Sequence, residues 1–345
     1  MSTKQASRTV RPEPAGEAEA SPDAATTRRA RARLFEVPSN PIPEGTRVGH
    51  VQTSDEFRLR YARWETLRRP SKGTVILLHG RTEFIEKHFE TVQDLRGRGF
   101  GVLTFDWRGQ GGSTRLLERS DRGHIENFNQ HLEDLETVFA RVALPDCRPP
   151  YYILAHSTGA LVALLAAPEL TNRVQRMVLI SPLLRLAGLP VRHSTLQRVF
   201  GLATLLGLGR LPSVRGWVPI GARSFIGNKL TSDTHRFNRL RDIAIAHPHL
   251  VTGAPTIAWV FAALRAMETV HEPGFASAIS VPTLFVAGGM DTVVSPRAIE
   301  SYGRAMRSGA FLTVSGARHE LLEERDSYRE QFLAAFDAFV PGTQV

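Results

Sequence analysis

A layered α/β fold with a mostly parallel sheet is predicted by three observations on this 345-residue sequence. Short apolar runs recur along the chain, TVILLHG, GVLTFDW, YYILAH, RMVLISPLL, VPTLFVAGG and GAFLTVSG, and most are followed by a helix-like stretch. The runs are apolar at every position rather than at alternate ones, as strands covered on both faces must be. Between Arg185 and Ile279 the alternation stops, leaving only helix-like pieces between Gly/Pro-rich turns.

Taken in order, residues 1–40 are rich in Pro, Ala, Glu, Ser and Arg and hold almost no large apolar side chain before Leu34 and Phe35. Such a segment cannot offset its ordering entropy and is expected to be disordered. Its acidic residues Glu13, Glu17, Glu19 and Asp23 argue against a transit peptide. Residues 45–67 predict two strands around a turn at Thr53, Ser54 and Asp55. The βα rhythm then runs through a strand at 74–80, a helix at 83–98 closed by Gly99, the strand GVLTFDW, an amphipathic helix at 124–142, the strand beginning at Tyr151 and its Ala/Leu-rich helix, and the run RMVLISPLL. Helices are expected at 194–208, 236–247 and 256–271 in the interruption. The rhythm resumes with VPTLFVAGG, a helix at 295–307, GAFLTVSG and a helix at 327–340. The core is therefore expected at 41–184 and 280–341, with a helical insertion at 185–279 after the sixth strand. An insertion there lands over the carboxyl ends of the strands, so it is expected to cover the site as a lid.

Composition narrows the function. The single cysteine, Cys147, excludes an internal disulfide and any Cys-based zinc site. No apolar stretch reaches the roughly 18 residues that cross a bilayer, and no apolar segment opens the chain, so a cytoplasmic protein, peripheral to a membrane at most, is expected. The net charge of +9 is concentrated between Arg185 and Ser280, where eleven Lys/Arg face four Asp/Glu. That region is rich in Leu and Val, so an anionic lipid surface is expected as its partner rather than nucleic acid. Its residues Arg192, Arg198, Arg210, Arg215, Arg223 and Lys229 lie among Leu196, Val199, Phe200, Leu205, Leu206, Leu208, Leu211 and Trp217.

The chemistry gathers at 151–167. An apolar strand breaks at Ala155, His156, Ser157, Thr158 and Gly159, and a helix starts at once. A residue at so sharp a corner is forced toward positive φ, costing roughly 1–3 kcal/mol. The turn lifts the Ser157 hydroxyl clear of the sheet, as in the G-x-S-x-G nucleophile elbow, here with Ala155 in the first glycine position. A serine needs a base to take its proton. His319, in SGARHELLEERD, and Asp291, in AGGMDTVV, each follow a strand on a loop and stand in the order Ser, Asp, His that this elbow fold uses. The loop HGRTEFIEKH offers the backbone N–H of Arg81 beside that of Thr158 as oxyanion donors. His79 and His156 adjoin strand ends and read as hydrogen-bonded structural residues. The His247, Pro248, His249 run lacks ligand spacing, so neither a metal nor a cofactor is expected.

In HGRTEFIEKHFE, FDWRGQGGSTR, RGHIENFNQHLEDL, AHSTG, the loop around Asp291 and GARHELLEERDSYRE the chain resembles the serine-hydrolase branch of the α/β-hydrolase fold. That branch holds bacterial L2-type lysophospholipases, monoacylglycerol lipases and serine aminopeptidases. The resemblance extends from about Thr74 to Phe339, weakly across the insertion. It implies Ser157, Asp291 and His319 as catalytic triad and Arg81 and Thr158 as oxyanion amides. It makes Asp106, Arg108 and Gly109 scaffold, the charged pair bracing the loop after its strand. Two departures are Ala155 for glycine and Arg81 where lipase members carry a small residue, which bears on acyl or headgroup preference. The wording FIEKH and DWRGQG is nearer the lysophospholipase members.

A carboxylic-ester hydrolase acting on single-chain lipids is the expectation. An exopeptidase on the same fold would need carboxylates for a free α-amine, and the insertion offers Asp233, Asp242, Glu268 and Glu272 among its cations. A non-catalytic binding protein would be expected to lack a triad member, and none is missing.

Overall fold

Why the sheet is parallel and doubly covered is visible in which side chains go where. The computed structural model describes residues 32–117, 122–188 and 191–340. Eight strands form one sheet in the order β1-β2-β4-β3-β5-β6-β7-β8. They are β1 (Arg47–Gln52), β2 (Arg58–Trp64), β3 (Thr74–Leu78), β4 (Gly101–Phe105), β5 (Tyr151–His156), β6 (Val174–Ile180), β7 (Thr283–Gly288) and β8 (Gly309–Val314). β1 and β2 pair antiparallel and join β4 antiparallel, whereas every pairing from β4 to β8 is parallel.

Successive strand residues point to opposite faces, and both faces are apolar here. Ile76, Leu78, Leu103, Ile153, Met177 and Phe285 enter one core. Val75, Leu77, Val102, Leu154, Val178 and Val286 enter the other. The longer helices are α1 (Phe89–Gly97), α2 (Asn129–Val138), α3 (Thr158–Leu170), α4 (His193–Ala203), α5 (Thr234–Ala246), α6 (Ile257–Val270), α7 (Pro296–Ala305) and α8 (Asp326–Phe339). α1 and α8 cover the second core with Phe89, Val92, Leu95, Phe332 and Phe336. α2, α3, α6 and α7 cover the first.

Three expectations are corrected. Residues 32–40, expected to be disordered, are packed: Leu34 and Val37 are buried, and Asn40 donates its amide to the Glu86 carbonyl at 2.9 Å. Residues 1–31 lie outside the described residues. The helix expected at 124–142 begins at Asn129, because His124 is used in tertiary contact, its Nδ1 lying 2.9 Å from Thr256 Oγ1. The insertion is also not all cover. α6 carries Trp259, Ala262, Ala263, Leu264, Ala266, Met267 and Val270 into the main core beside α3.

Asp106 and Arg108 brace the loop after β4 through separate partners. Arg60, which is 2 % exposed, donates Nε to Asp106 at 2.6 Å and both terminal nitrogens to Glu86 at 2.7 Å. Arg108 instead donates to Asp134 at 2.7 Å and to Asp55. Asp106 also accepts the amides of Ile85 and Gly112, so the loops after β3 and β4 share one buried carboxylate. Removing Arg60 would strand two buried carboxylates beneath those loops. Arg60→Ala is therefore expected to cost about 3–5 kcal/mol of unfolding free energy. Guanidinium unfolding checks this, and stability within about 1 kcal/mol of wild type would show that the cluster carries no such weight.

Candidate active site

β5 is buried along its whole length and ends against Ser157, whose φ of 53° is the positive value the elbow demands. Such a conformation in a non-glycine residue is held only when its surroundings over-determine it. The surroundings are two close approaches. A Cβ on Gly159 would stand 2.5 Å from the Leu78 carbonyl oxygen and 2.6 Å from that of His79, so the first turn of α3 lies directly on the end of β3. A Cβ on Gly80 would stand 3.2 Å from the Ser157 Cβ. The backbone at 80–82 is thereby pressed against Ser157. Thr158 opens α3, so its N–H has no intrahelical acceptor. The N–H of Arg81 donates to no acceptor among the described residues.

Asp291 and His319 follow β7 and β8, so all three residues stand at the carboxyl edge of the sheet. His319 Nδ1 lies 2.7 Å from Asp291 Oδ2, and His319 Nε2 lies 3.1 Å from Ser157 Oγ. Because an ionised carboxylate only accepts, Nδ1 carries the ring proton and Nε2 is left to accept from the serine hydroxyl. Asp291 Oδ1 accepts the amides of Val293 at 2.7 Å and Val294 at 3.0 Å, which fix its orientation. Burial pushes the Asp291 carboxyl up, but the bond and charge of His319 and these two amides outweigh it and hold it below the ordinary value. Ser157, Asp291 and His319 are each under 10 % exposed. Such an arrangement can move a proton from a hydroxyl while stabilising the imidazolium that forms.

Residues 69–326 match the family described as serine aminopeptidase, S33. The chain belongs to that family. Among relatives, this S33 member is 29 % identical over 298 residues to lysophospholipase L2 of Escherichia coli strain K12, spanning 83 % of this chain and 84 % of the relative. It is 27 % identical over 267 residues to a probable lysophospholipase L2 of Haemophilus influenzae, covering 77 % and 83 % of the two chains. A soluble variant of monoglyceride lipase from Saccharomyces cerevisiae, solved with a substrate analog, superposes with a TM-score of 0.68 at 19 % identity. The match covers 90 % of this chain and 98 % of that one. This likeness shows the α/β-hydrolase fold. Among the described residues, no His, Cys, Asp and Glu side chains are grouped to hold a metal.

Glu83 is the residue of this S33 chain that sequence reasoning missed. It accepts the Gly80 N–H at 2.8 Å, Lys87 Nζ at 3.0 Å, His88 Nε2 at 3.1 Å and His156 Nδ1 at 2.8 Å. His156 Nε2 lies 3.1 Å from the carbonyl oxygen of His319. One carboxylate thus ties the loop after β3, the residue before Ser157 and the backbone of His319. Both neighbours of the His156 ring are acceptors, so both its nitrogens donate and it is an imidazolium. Burial opposes that charge, but Glu83 outweighs it and raises the His156 pKa. His88, by contrast, is pushed down to about 4 by burial and stays neutral. Gln110 adds a second brace, its Oε1 accepting the N–H of Thr82, a non-glycine residue at φ 65°.

The sign of the pH dependence follows. A histidine whose folded pKa is raised adds stability that is full below its unfolded value of about 6.5 and is lost as pH rises through the folded value. In Glu83→Gln that contribution disappears. The stability difference between wild type and Glu83→Gln should therefore be largest below about pH 6.5 and shrink as pH rises. Urea unfolding of both proteins at pH 6, 7 and 8 measures it, and a difference that grows with pH would refute the charged His156.

Proposed function

We propose that this S33 family member hydrolyses the carboxylic ester of single-chain lipids, through Ser157, His319 and Asp291. The observation that carries the reading is the chain of contacts from Asp291 through His319 to Ser157 Oγ. Ser157 attacks the acyl carbonyl as His319 Nε2 takes its proton, and Asp291 stabilises the imidazolium. The N–H groups of Arg81 and Thr158 receive the oxyanion of the tetrahedral intermediate. Collapse expels the alcohol, which takes the proton from His319, and a water activated by the same base clears the acyl-enzyme. The lysophospholipase names of the L2 relatives support a single-chain phospholipid as the ester.

An aminopeptidase reading would need an uncommitted carboxylate for the α-amine. Glu83 and Glu320, beside the site, are both committed to Lys87. In the insertion, Asp233 caps α5 and pairs with Arg236, Glu268 pairs with Arg265, and Asp242 and Glu272 are exposed and do not line the cavity beside the site. The ester reading therefore stands ahead. Ser157→Ala is expected to abolish turnover, and Asp291→Asn to lower kcat by about 10⁴ through loss of imidazole orientation. Hydrolysis of a lysophospholipid, a monoacylglycerol and an aminoacyl anilide side by side checks both. Retained turnover by Ser157→Ala, or preference for the anilide, would defeat the proposal.

The insertion acts in this reading as a lid that meets an anionic lipid surface. Of the fourteen large apolar residues exposed among the described residues, ten lie between Val191 and Ile226, Leu205 at 84 % and Ile226 at 91 % being examples. Arg192, Arg198, Arg210 and Arg215 are exposed among them. Leu196 and Phe200, which the sequence grouped with this surface, pack against the core instead. The remainder of the insertion is anchored, α5 by Arg236 and Arg239 on Glu90, which holds Glu90 near 2 against the upward push of burial. Residues 191–226 are thus the part suited to insert and open. Among the described residues no helix is long and apolar enough to cross a membrane, which with the lone cysteine fits a cytoplasmic, peripheral enzyme.

Each cation near an anionic leaflet contributes about 1 kcal/mol, so three or four together give roughly 3–4 kcal/mol. Vesicle co-sedimentation should show binding to anionic over neutral liposomes by roughly a few hundredfold, weakening with salt. Equal binding to both would leave the insertion as a substrate cover.

A further inference from the structure

Two arginines beside the site share one indole and have no ion pair among the described residues. Most half-buried or buried arginines elsewhere have a carboxylate or several carbonyls, although Arg96, Arg122 and Arg241 also have no ion pair among the described residues. Arg60 has Glu86 and Asp106, Arg108 has Asp55 and Asp134, and Arg236 and Arg239 have Glu90. Arg115 lacks a carboxylate but places its terminal nitrogens on the carbonyls of Gly109, Gly111 and His249 and on the Thr252 hydroxyl. Arg81 and Arg223 have neither kind of compensation. Arg81 donates once, from Nη1 to the Gly253 carbonyl at 3.1 Å, and Arg223 once, from Nε to the Val218 carbonyl at 2.8 Å. A guanidinium carries five N–H donors. The other four of each fork therefore find no acceptor among the described residues, and neither arginine has an ion pair there.

What holds them is aromatic. Arg81 lies 5.0 Å from the ring centre of Trp217 and 5.3 Å from that of Trp259, and Arg223 lies 4.8 Å from Trp217. Two like charges thus share one indole. Burial first, and the charge of Arg223 second, lower the Arg81 pKa to about 10, still charged at neutral pH. Cation–π contact offsets only part of that cost. The place adjoins the reaction site through residues next in the chain to Arg81 and His319. A small cavity is lined by Thr82, Glu83 and Glu320, the neighbours of Arg81 and His319, together with Trp217 and Arg223. Planar guanidinium forks with free donors match the oxygens of a phosphate.

We propose that Arg81 and Arg223, steadied by Trp217 and Trp259, form an anion subsite that reads the phosphodiester of the leaving glycerol headgroup. The inference rests on the ester-hydrolase reading and specifies its substrate class: a single-chain phospholipid rather than a neutral monoacylglycerol. Arg81 then serves twice, its backbone N–H facing the oxyanion and its guanidinium the headgroup. The same loop couples recognition of the leaving group to stabilisation of the intermediate.

The test compares 1-palmitoyl lysophosphatidylcholine with 1-monopalmitoylglycerol, both in neutral detergent micelles so that surface charge plays no part. In Arg223→Gln, kcat/KM for the phospholipid should fall about 10- to 100-fold, chiefly through KM, as expected for loss of charge-assisted bonds. That for the glyceride should change less than about 3-fold, well short of the charged-bond effect. Glycerophosphocholine should inhibit wild-type hydrolysis of a short nitrophenyl ester competitively, and Arg223→Gln weakly. Inhibition as strong by inorganic phosphate would overturn the headgroup assignment in favour of a free anion. An equal fall on both lipids, or none on either, would overturn the subsite while leaving the ester hydrolase intact. Wild-type protein inert toward both lipids would instead defeat the ester-hydrolase reading and the subsite with it.

Discussion

The constraint on which the rest depends is the lack of room where β5 turns into α3. Ser157 can hold a positive φ only because Gly159 lets α3 rest on the carbonyls of Leu78 and His79, and Gly80 lets the next loop reach the serine itself. Strain at one residue, roughly 1–3 kcal/mol, is small beside the burial of a helix with ten of its thirteen residues in the core. The elbow is held further by its backbone, the Ser157 N–H donating to the Ile180 carbonyl at 2.9 Å and the Ser157 carbonyl accepting the Leu183 N–H at 3.1 Å. Rigidity matters because a nucleophile, a base and two amides have to share one point in space.

Crowding alone would not orient the partners. Glu83 does this on one side and the Val293 and Val294 amides on the other. A carboxylate buried among Lys87, His88 and His156 would be costly if any partner were lost, which makes the network weak evidence for stability and better evidence for registry. It fixes three segments far apart in sequence, the loop at 80–83, the end of β5 and the loop at 319–320, in one geometry. Arg81 and Arg223, held by Trp217, lie just outside that network. Charge inside the site is thus balanced within the protein, and charge beside it is left for a ligand.

Much of this was legible in the sequence, for identifiable reasons. Parallel strands announce themselves because both faces are apolar, and all six from β3 to β8 were found. That Ser157, Asp291 and His319 come together was legible because Ser157 stands at the corner where a strand becomes a helix and the other two each follow a strand on a loop. Glu83 was not, since in EFIEKH it reads as a solvated helix face with Lys87 four residues on, and only the fold brings His156 to it. Arg60 was hidden in the same way, its carboxylates lying 26 and 46 residues away. The insertion looked uniform in composition, and its division into an anchored part, a core helix and an exposed apolar part depends on contacts with α1 and α3.

The central claim is that one serine is activated, and that it is the one at the strained corner. Fluorophosphonate labelling followed by peptide mapping tests this most directly. Such a reagent reacts with a serine that has both a base and an oxyanion site. The account predicts a single adduct, on Ser157. An adduct on Ser113, Ser181 or Ser315, or no adduct on folded protein, would contradict it.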